Sequence, residues 1–156
     1  TQIISKGDGV MKQSFSTVRE VLENYKTSIF ERDVEKFLCS YSENINLYDC
    51  WGKWDCNGLW DWRKSVESWF QELSEEGVYL KVTFSDMTIE EGESVAFAKC
   101  AITFSAYAQS SSEKLRQITN RFTFGLCKVD DSWQIVHEHS SLPIDPATGK
   151  GMFHLK

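Results

Sequence analysis

The sequence predicts an α+β domain: a curved antiparallel sheet packed on three helices, all of which precede its long strands. Three observations predict it. Apolar residues recur at spacings of three and four through the first half of the chain, the period of an amphipathic helix. They alternate with other residues through the second half, the period of a strand. Helices first and strands afterwards is the order of an α+β fold, with the helices on one sheet face.

Residues 1–13 are polar and contain glycine, and read as a flexible arm. From Ser14 a helix begins, with Val18, Leu22, Tyr25 and Ile29 on one stripe and Ser14 or Ser16 as its N-cap. Asp33 opens a second, short helix whose apolar face is Val34, Phe37, Leu38 and Tyr41. The stretch "NINLYD", residues 44–49, alternates as a strand and places Ile45, Leu47 and Asp49 together. A loop rich in Trp and Cys, "CWGKWDCNG", leads to Asn57 or Gly58 ahead of a third helix. That helix carries Leu59, Val66, Trp69, Phe70 and Leu73 and ends near Gly77.

Everything afterwards reads as strand. "VYLKVTFSDMTIEE" turns at Glu91-Gly92 into "SVAFAKCAITFSAYAQ", and a polar "SSSEK" turn leads to "LRQITNRFTFGLCKV". Asp130-Asp131-Ser132 turns into the last strand, "WQIVHEHSS". With neither repeat nor linker, residues 14–145 make one domain and 146–156 a C-terminal tail. Along these strands Phe122, Phe124 and Leu126 lie opposite Arg121, Thr123 and Gly125; Ala98, Cys100, Ile102 and Phe104 lie opposite Lys99, Ala101 and Thr103. Helices cover one face only, and the limited polarity of the other predicts a homodimer.

A chain of 156 residues, 41% apolar and 26% charged, suits one domain with one core. The net charge of −6 excludes nucleic acid as the main partner, and no apolar run reaches membrane-spanning length. A cytoplasmic location with reduced thiols is expected, because the five cysteines are odd in number and irregular in spacing. Aromatics at 13%, six of them Trp, exceed the needs of a small core and point to an aromatic-lined cavity for a small molecule. Phosphate-loop, dinucleotide and nucleophile-elbow motifs are absent from the sequence, so no cofactor is expected.

The last strand holds two of the three histidines. In a regular strand Trp133, Ile135, His137 and His139 share a face and Glu138 points the other way, to solvent or an interface. Two histidines two apart need a third ligand to hold a metal; Asp49 is the only obvious candidate, and a metal is not expected. A histidine on a pocket floor, handling a proton or an acidic ligand, and a histidine packed within the sheet both remain open. Arg121 in an aromatic strand needs a partner, either Asp49, a ligand carboxylate or an acidic residue at the sheet rim. If it faces a cavity, the ligand is acidic or carbonyl-containing. Trp69 belongs to the core stripe, whereas Trp51 and Trp54 sit on a loop suited to a pocket lid or a partner contact.

Two stretches, "NYKTSIFERDVEKFLCSYSENINLYD" and "RFTFGLCKVDDSWQIVHEHSSLP", carry a wider likeness. Over roughly residues 15–143 the chain resembles the SnoaL-like branch of ketosteroid-isomerase relatives, within the cone-shaped nuclear-transport-factor-like superfamily. The second stretch also resembles the end of the calcium/calmodulin-dependent kinase association domain. The resemblance implies a homodimer and a pocket between helices and curved sheet, without implying one reaction. In ketosteroid isomerase an Asp base works opposite an oxyanion hole built from a Tyr and a protonated Asp. The resemblance places Tyr25 and Asp49 at the Tyr and the base; the second acid has no evident counterpart, and Asn120, Arg121 and Phe122 stand near its position. The expectation is a small-ligand domain that transfers a proton next to a carbonyl, by isomerisation, cyclisation or dehydration. Asp49 is then the base, Tyr25 or His137 the donor, and Arg121, His139 and Trp51 ligand contacts. The alternative is a non-catalytic binding or assembly module.

Overall fold

The computed structural model describes residues 2–6 and 10–156, with side chains from residue 13 onward. Strands β1 (Gln2–Lys6) and β2 (Val10–Ser14) pair antiparallel as a two-stranded sheet of their own. Helix α1 spans Val18–Glu31, and its N-cap is Thr17 rather than Ser14 or Ser16. The Thr17 hydroxyl accepts from the Glu20 N–H at 3.2 Å, while the Glu20 carboxylate reaches back to the Ser16 N–H at 2.7 Å. Such a reciprocal pair satisfies N–H groups that the first helical turn leaves open.

Helix α2 is a single turn, Val34–Leu38, capped by Asp33, whose carboxylate accepts from the Lys36 N–H at 3.0 Å. Tyr41 lies beyond it, as the first residue of strand β3 (Tyr41–Tyr48). The helix stops early because buried Asn24 of α1 holds the turn: its amide donates to the Lys36 carbonyl at 2.8 Å and to the Ser40 hydroxyl at 2.9 Å. Strand β4 (Cys56–Asn57) pairs with the end of β3, and helix α3 follows over Leu59–Glu76. Gly58 and Gly77, at φ 86° and 72°, bracket α3 in conformations that a side chain disfavours.

The long strands are β5 (Val78–Glu91), β6 (Val95–Ala108), β7 (Lys114–Val129) and β8 (Ser132–Ser141). The sheet order is β4-β3-β8-β7-β6-β5. Its pairs are antiparallel except β3 with β8, which run parallel where the early strand joins the last one. Pairing slips between Ser85 and Thr88, between Ala106 and Tyr107, and between Gly125 and Leu126. Irregularities of this kind bend a long strand, so the sheet curls instead of lying flat.

The helices fill the concave side. Val18, Leu22 and Ile29 from α1 and Val66 and Phe70 from α3 are buried with Ile102, Phe124, Leu126, Trp133 and Ile135 from the sheet. Each such side chain contributes about 1.5–3 kcal/mol by leaving water. The fold is therefore the expected α+β curved sheet packed against helices. Among the described residues, no helix is long and apolar enough to cross a membrane.

Candidate active site

The slip in β8 decides which side chains enter the concave space. Leu126 pairs with Ile135 and Gly125 with His137, which leaves Val136 as an extra, unpaired residue. Trp133 and Ile135 point inward before the bulge, and Glu138 and Ser140 point inward after it. His137 and His139 consequently lie on the convex face, opposite to the regular alternation, and Glu138 is buried rather than solvated. His137 Nδ1 lies 2.9 Å from the Asn46 carbonyl oxygen and 3.0 Å from its side-chain oxygen. Tyr48 stands edge-on to both imidazoles, at ring-centre distances of 4.9 and 5.4 Å. Neither histidine reaches the cavity.

Between helices and sheet lies a cavity of about 830 Å³. Its polar groups are Tyr25 from α1, Asp49 just past β3, Asn120 from β7 and Glu138 from β8. Flat apolar walls come from Trp62 and Trp69 of α3, with Phe104 and Phe122 of the sheet. Arg116, Glu72 and the tail residues Phe153 and His154 line its exposed rim. Trp51 is half exposed there and stacks on Phe153, with ring centres 5.7 Å apart and 25° between planes. Among the described residues, no three His, Cys, Asp or Glu side chains converge as a metal site would require.

The buried carboxyls have distinct surroundings. Glu138 is 5% exposed, and the Tyr41 phenol donates to its Oε1 at 2.6 Å. Burial pushes its pKa up to about 8, the Tyr41 bond opposing and the nearby Asp49 charge adding, so at neutral pH Glu138 is mainly the neutral acid. Burial raises Asp49 as well, while the Ser140 hydroxyl, which donates to its Oδ1 at 3.1 Å, and backbone N–H groups oppose the shift. Ser140 is itself fixed by the Cys50 N–H at 2.9 Å. Burial, then the neighbouring Glu138 and Asp49, hold the Tyr25 phenol well above its ordinary range, so it remains a donor. Asn120 donates from Nδ2 to Cys50 Sγ at 3.1 Å, while its Oδ1 has no partner. The Trp62 indole N–H, also buried, faces the Tyr41 phenol.

Of the residues singled out in the sequence, Tyr25, Asp49 and Trp51 border one cavity, as do Asn120 and Phe122, which stood near the expected second acid. His137, His139 and Arg121 do not. Arg121 is exposed on the convex face, where its Nε donates to the Ser141 hydroxyl at 3.2 Å. A guanidinium keeps its hydration there, which the concave side would remove. The inward placing of Glu138 and Ser140 went unanticipated, as did the tail. A Glu inside an apolar strand is a signal, but unbulged alternation assigns it to the wrong face.

A sequence profile of the SnoaL-like domain matches residues 18–145. Among curated proteins, none matches the sequence. The fold is similar to that of an NTF2-like protein of unknown function from Pseudomonas putida, at TM-score 0.76 and 21% identity, over 89% of this chain and 93% of that one. It is also similar to a putative calcium/calmodulin-dependent protein kinase II association domain from Xanthomonas campestris, at TM-score 0.65 and 16% identity, covering 90% and 94%. A ketosteroid isomerase-like protein from Erwinia carotovora aligns at TM-score 0.61 and 16% identity, covering 81% and 94%. These likenesses concern the fold, since one architecture serves many activities.

Proposed function

The chain belongs to the SnoaL-like domain family, and from that premise we propose that it binds a small carbonyl compound in the cavity and moves a proton beside the carbonyl. Asp49 takes the proton, because it is the carboxylate supported by hydrogen bonds to its charged form. Tyr25 and the neutral carboxyl of Glu138 donate to the carbonyl oxygen as enolate charge develops. The single observation that carries the reading is that two carboxyls border one cavity in different surroundings, Asp49 accepting from the Ser140 hydroxyl and deeply buried Glu138 from the Tyr41 phenol. Glu138 fills the role of the second acid that the sequence left without a candidate.

Exchange of α-protons with deuterated water, followed by NMR over a panel of small cyclic ketones and enones, tests this. Wild type is expected to exchange at least one of them. Asp49→Asn is expected to lower the rate by about 10²–10³-fold with ligand affinity retained, as for loss of a principal acid–base group. Absence of exchange across the panel by wild type would remove the catalytic reading.

A second reading is favoured by the similarity to the kinase association domain: a binding or assembly module without turnover. Both readings include a homodimer formed through the convex sheet face. That face is of mixed character, with a Thr103–Thr119 hydroxyl pair 2.7 Å apart and half-exposed Phe97 further along the same strand. Thr103→Arg is expected to convert a dimer to a monomer in sedimentation velocity, and a wild type that already sediments as a monomer speaks against the pairing.

A further inference from the structure

The unpartnered Asn120 oxygen says more about the ligand than the cavity volume does. Asn120 is 3% exposed, lines the cavity, and leaves Oδ1 without a donor while Cys50 sulfur occupies its NH₂. A buried amide oxygen is normally paired, and a site that holds one open rejects a ligand that fails to pair it. Tyr25 and Glu138 contribute O–H donors to the same lining. Arg116 and His154 lie on the exposed rim of the cavity, and Arg116 is engaged with Glu76 at 2.5 Å. With Asp49 and Glu138 inside and Arg121 on the far face, an anionic group has no partner on the floor.

We propose that the ligand is an uncharged, flat ring in which an N–H adjoins the carbonyl, as in a lactam or cyclic imide: the N–H donates to Asn120 Oδ1 and the carbonyl accepts from Tyr25 and Glu138. The ring then lies against the faces of Trp62 and Phe122. This inference rests on the carbonyl-binding reading above and names its substrate class. It also replaces the acidic ligand that Arg121 suggested.

Calorimetric titration with three probes of similar size decides it: 2-quinolone, a lactam; coumarin, in which oxygen replaces that N–H; and 2-naphthoate, an anion. 2-Quinolone is expected to bind about tenfold or more tighter than coumarin, the size of one buried hydrogen bond, with 2-naphthoate weakest. Asn120→Leu is expected to erase the lactam preference, and Asn120→Asp, which keeps an acceptor oxygen, to retain it. Coumarin binding as tightly as 2-quinolone to wild type overturns the inference whatever the variants do, yet leaves the carbonyl reading standing. A preference that survives Asn120→Leu overturns the assignment of Asn120, and tightest binding by 2-naphthoate overturns the charge argument. Binding by none of the three overturns the inference; if α-proton exchange is also absent, the proposed function falls with it.

Discussion

Replacing Glu138 by glutamine is expected to flatten the pH dependence of stability between about pH 4.5 and 8. The native carboxyl has its pKa pushed up to about 8 by burial, against an ordinary value of 4.5. Below the ordinary value both folded and unfolded chains hold the proton, and the contribution of the buried acid is fully present. As pH rises the unfolded chain ionises first and gains stability from it, so the native state loses ground. The loss levels off once the native group ionises as well. A raised native pKa therefore favours the fold in acid and penalises it in alkali, the reverse of an ion-paired carboxylate. A displacement of this size corresponds to a few kcal/mol, roughly, across the window. Glutamine has nothing to titrate and keeps a similar shape. Urea unfolding of both proteins at pH 5 and pH 8.5 measures the difference, with glutamine gaining on wild type at the higher pH. Parallel behaviour at both values would mean that Glu138 titrates ordinarily, and with that its role as an O–H donor would go.

Phe37→Ala is expected to cost about 3–5 kcal/mol of stability, toward the upper end for a core truncation. The ring is fully buried although α2 is one turn long. It meets Tyr41 at 5.2 Å, Tyr25 at 5.3 Å, Phe70 at 5.7 Å, Trp62 at 6.1 Å and Trp69 at 6.3 Å between ring centres. Five rings from α1, α3 and β3 thus converge on one side chain, and rigid rings close poorly over a void. Three of them, Tyr25, Trp62 and Trp69, also line the cavity, so the variant is expected to bind ligand more weakly as well as to unfold more easily. Phe37→Leu retains most of the volume and is expected to lose less. Denaturant midpoints at unchanged slope give the comparison. A loss below about 1 kcal/mol would mean that the neighbouring rings collapse into the space.

The helical stripe Val18, Leu22, Tyr25 and Ile29, and the placing of Asp49 with Ile45 and Leu47, could be read from spacing because each depends on residues a few positions apart. Two cavity residues, Tyr25 and Asp49, were available that way, and Trp51 through its loop. The failures share one origin. Tyr41 keeps an apolar partner at helical spacing, yet the chain leaves α2 because Asn24, sixteen residues upstream of Ser40, bonds that turn. His137 and His139 fit the alternation set by Trp133 and Ile135, yet one unpaired residue at Val136 reverses the phase.

What the sequence determined by itself was the three helices, β3 and the four long strands, the α+β order, the composition of a core and the aromatic supply for a cavity, but not the short strands β1, β2 and β4. Those follow from periodicity, which is a property of a chain with its near neighbours. Only the tertiary structure decided that Glu138 and Ser140 face inward while both histidines face out, and that the C-terminal tail borders the cavity. The physical reason is that a strand's phase is set by its pairing with β7, and an inserted residue changes that pairing without altering the local pattern.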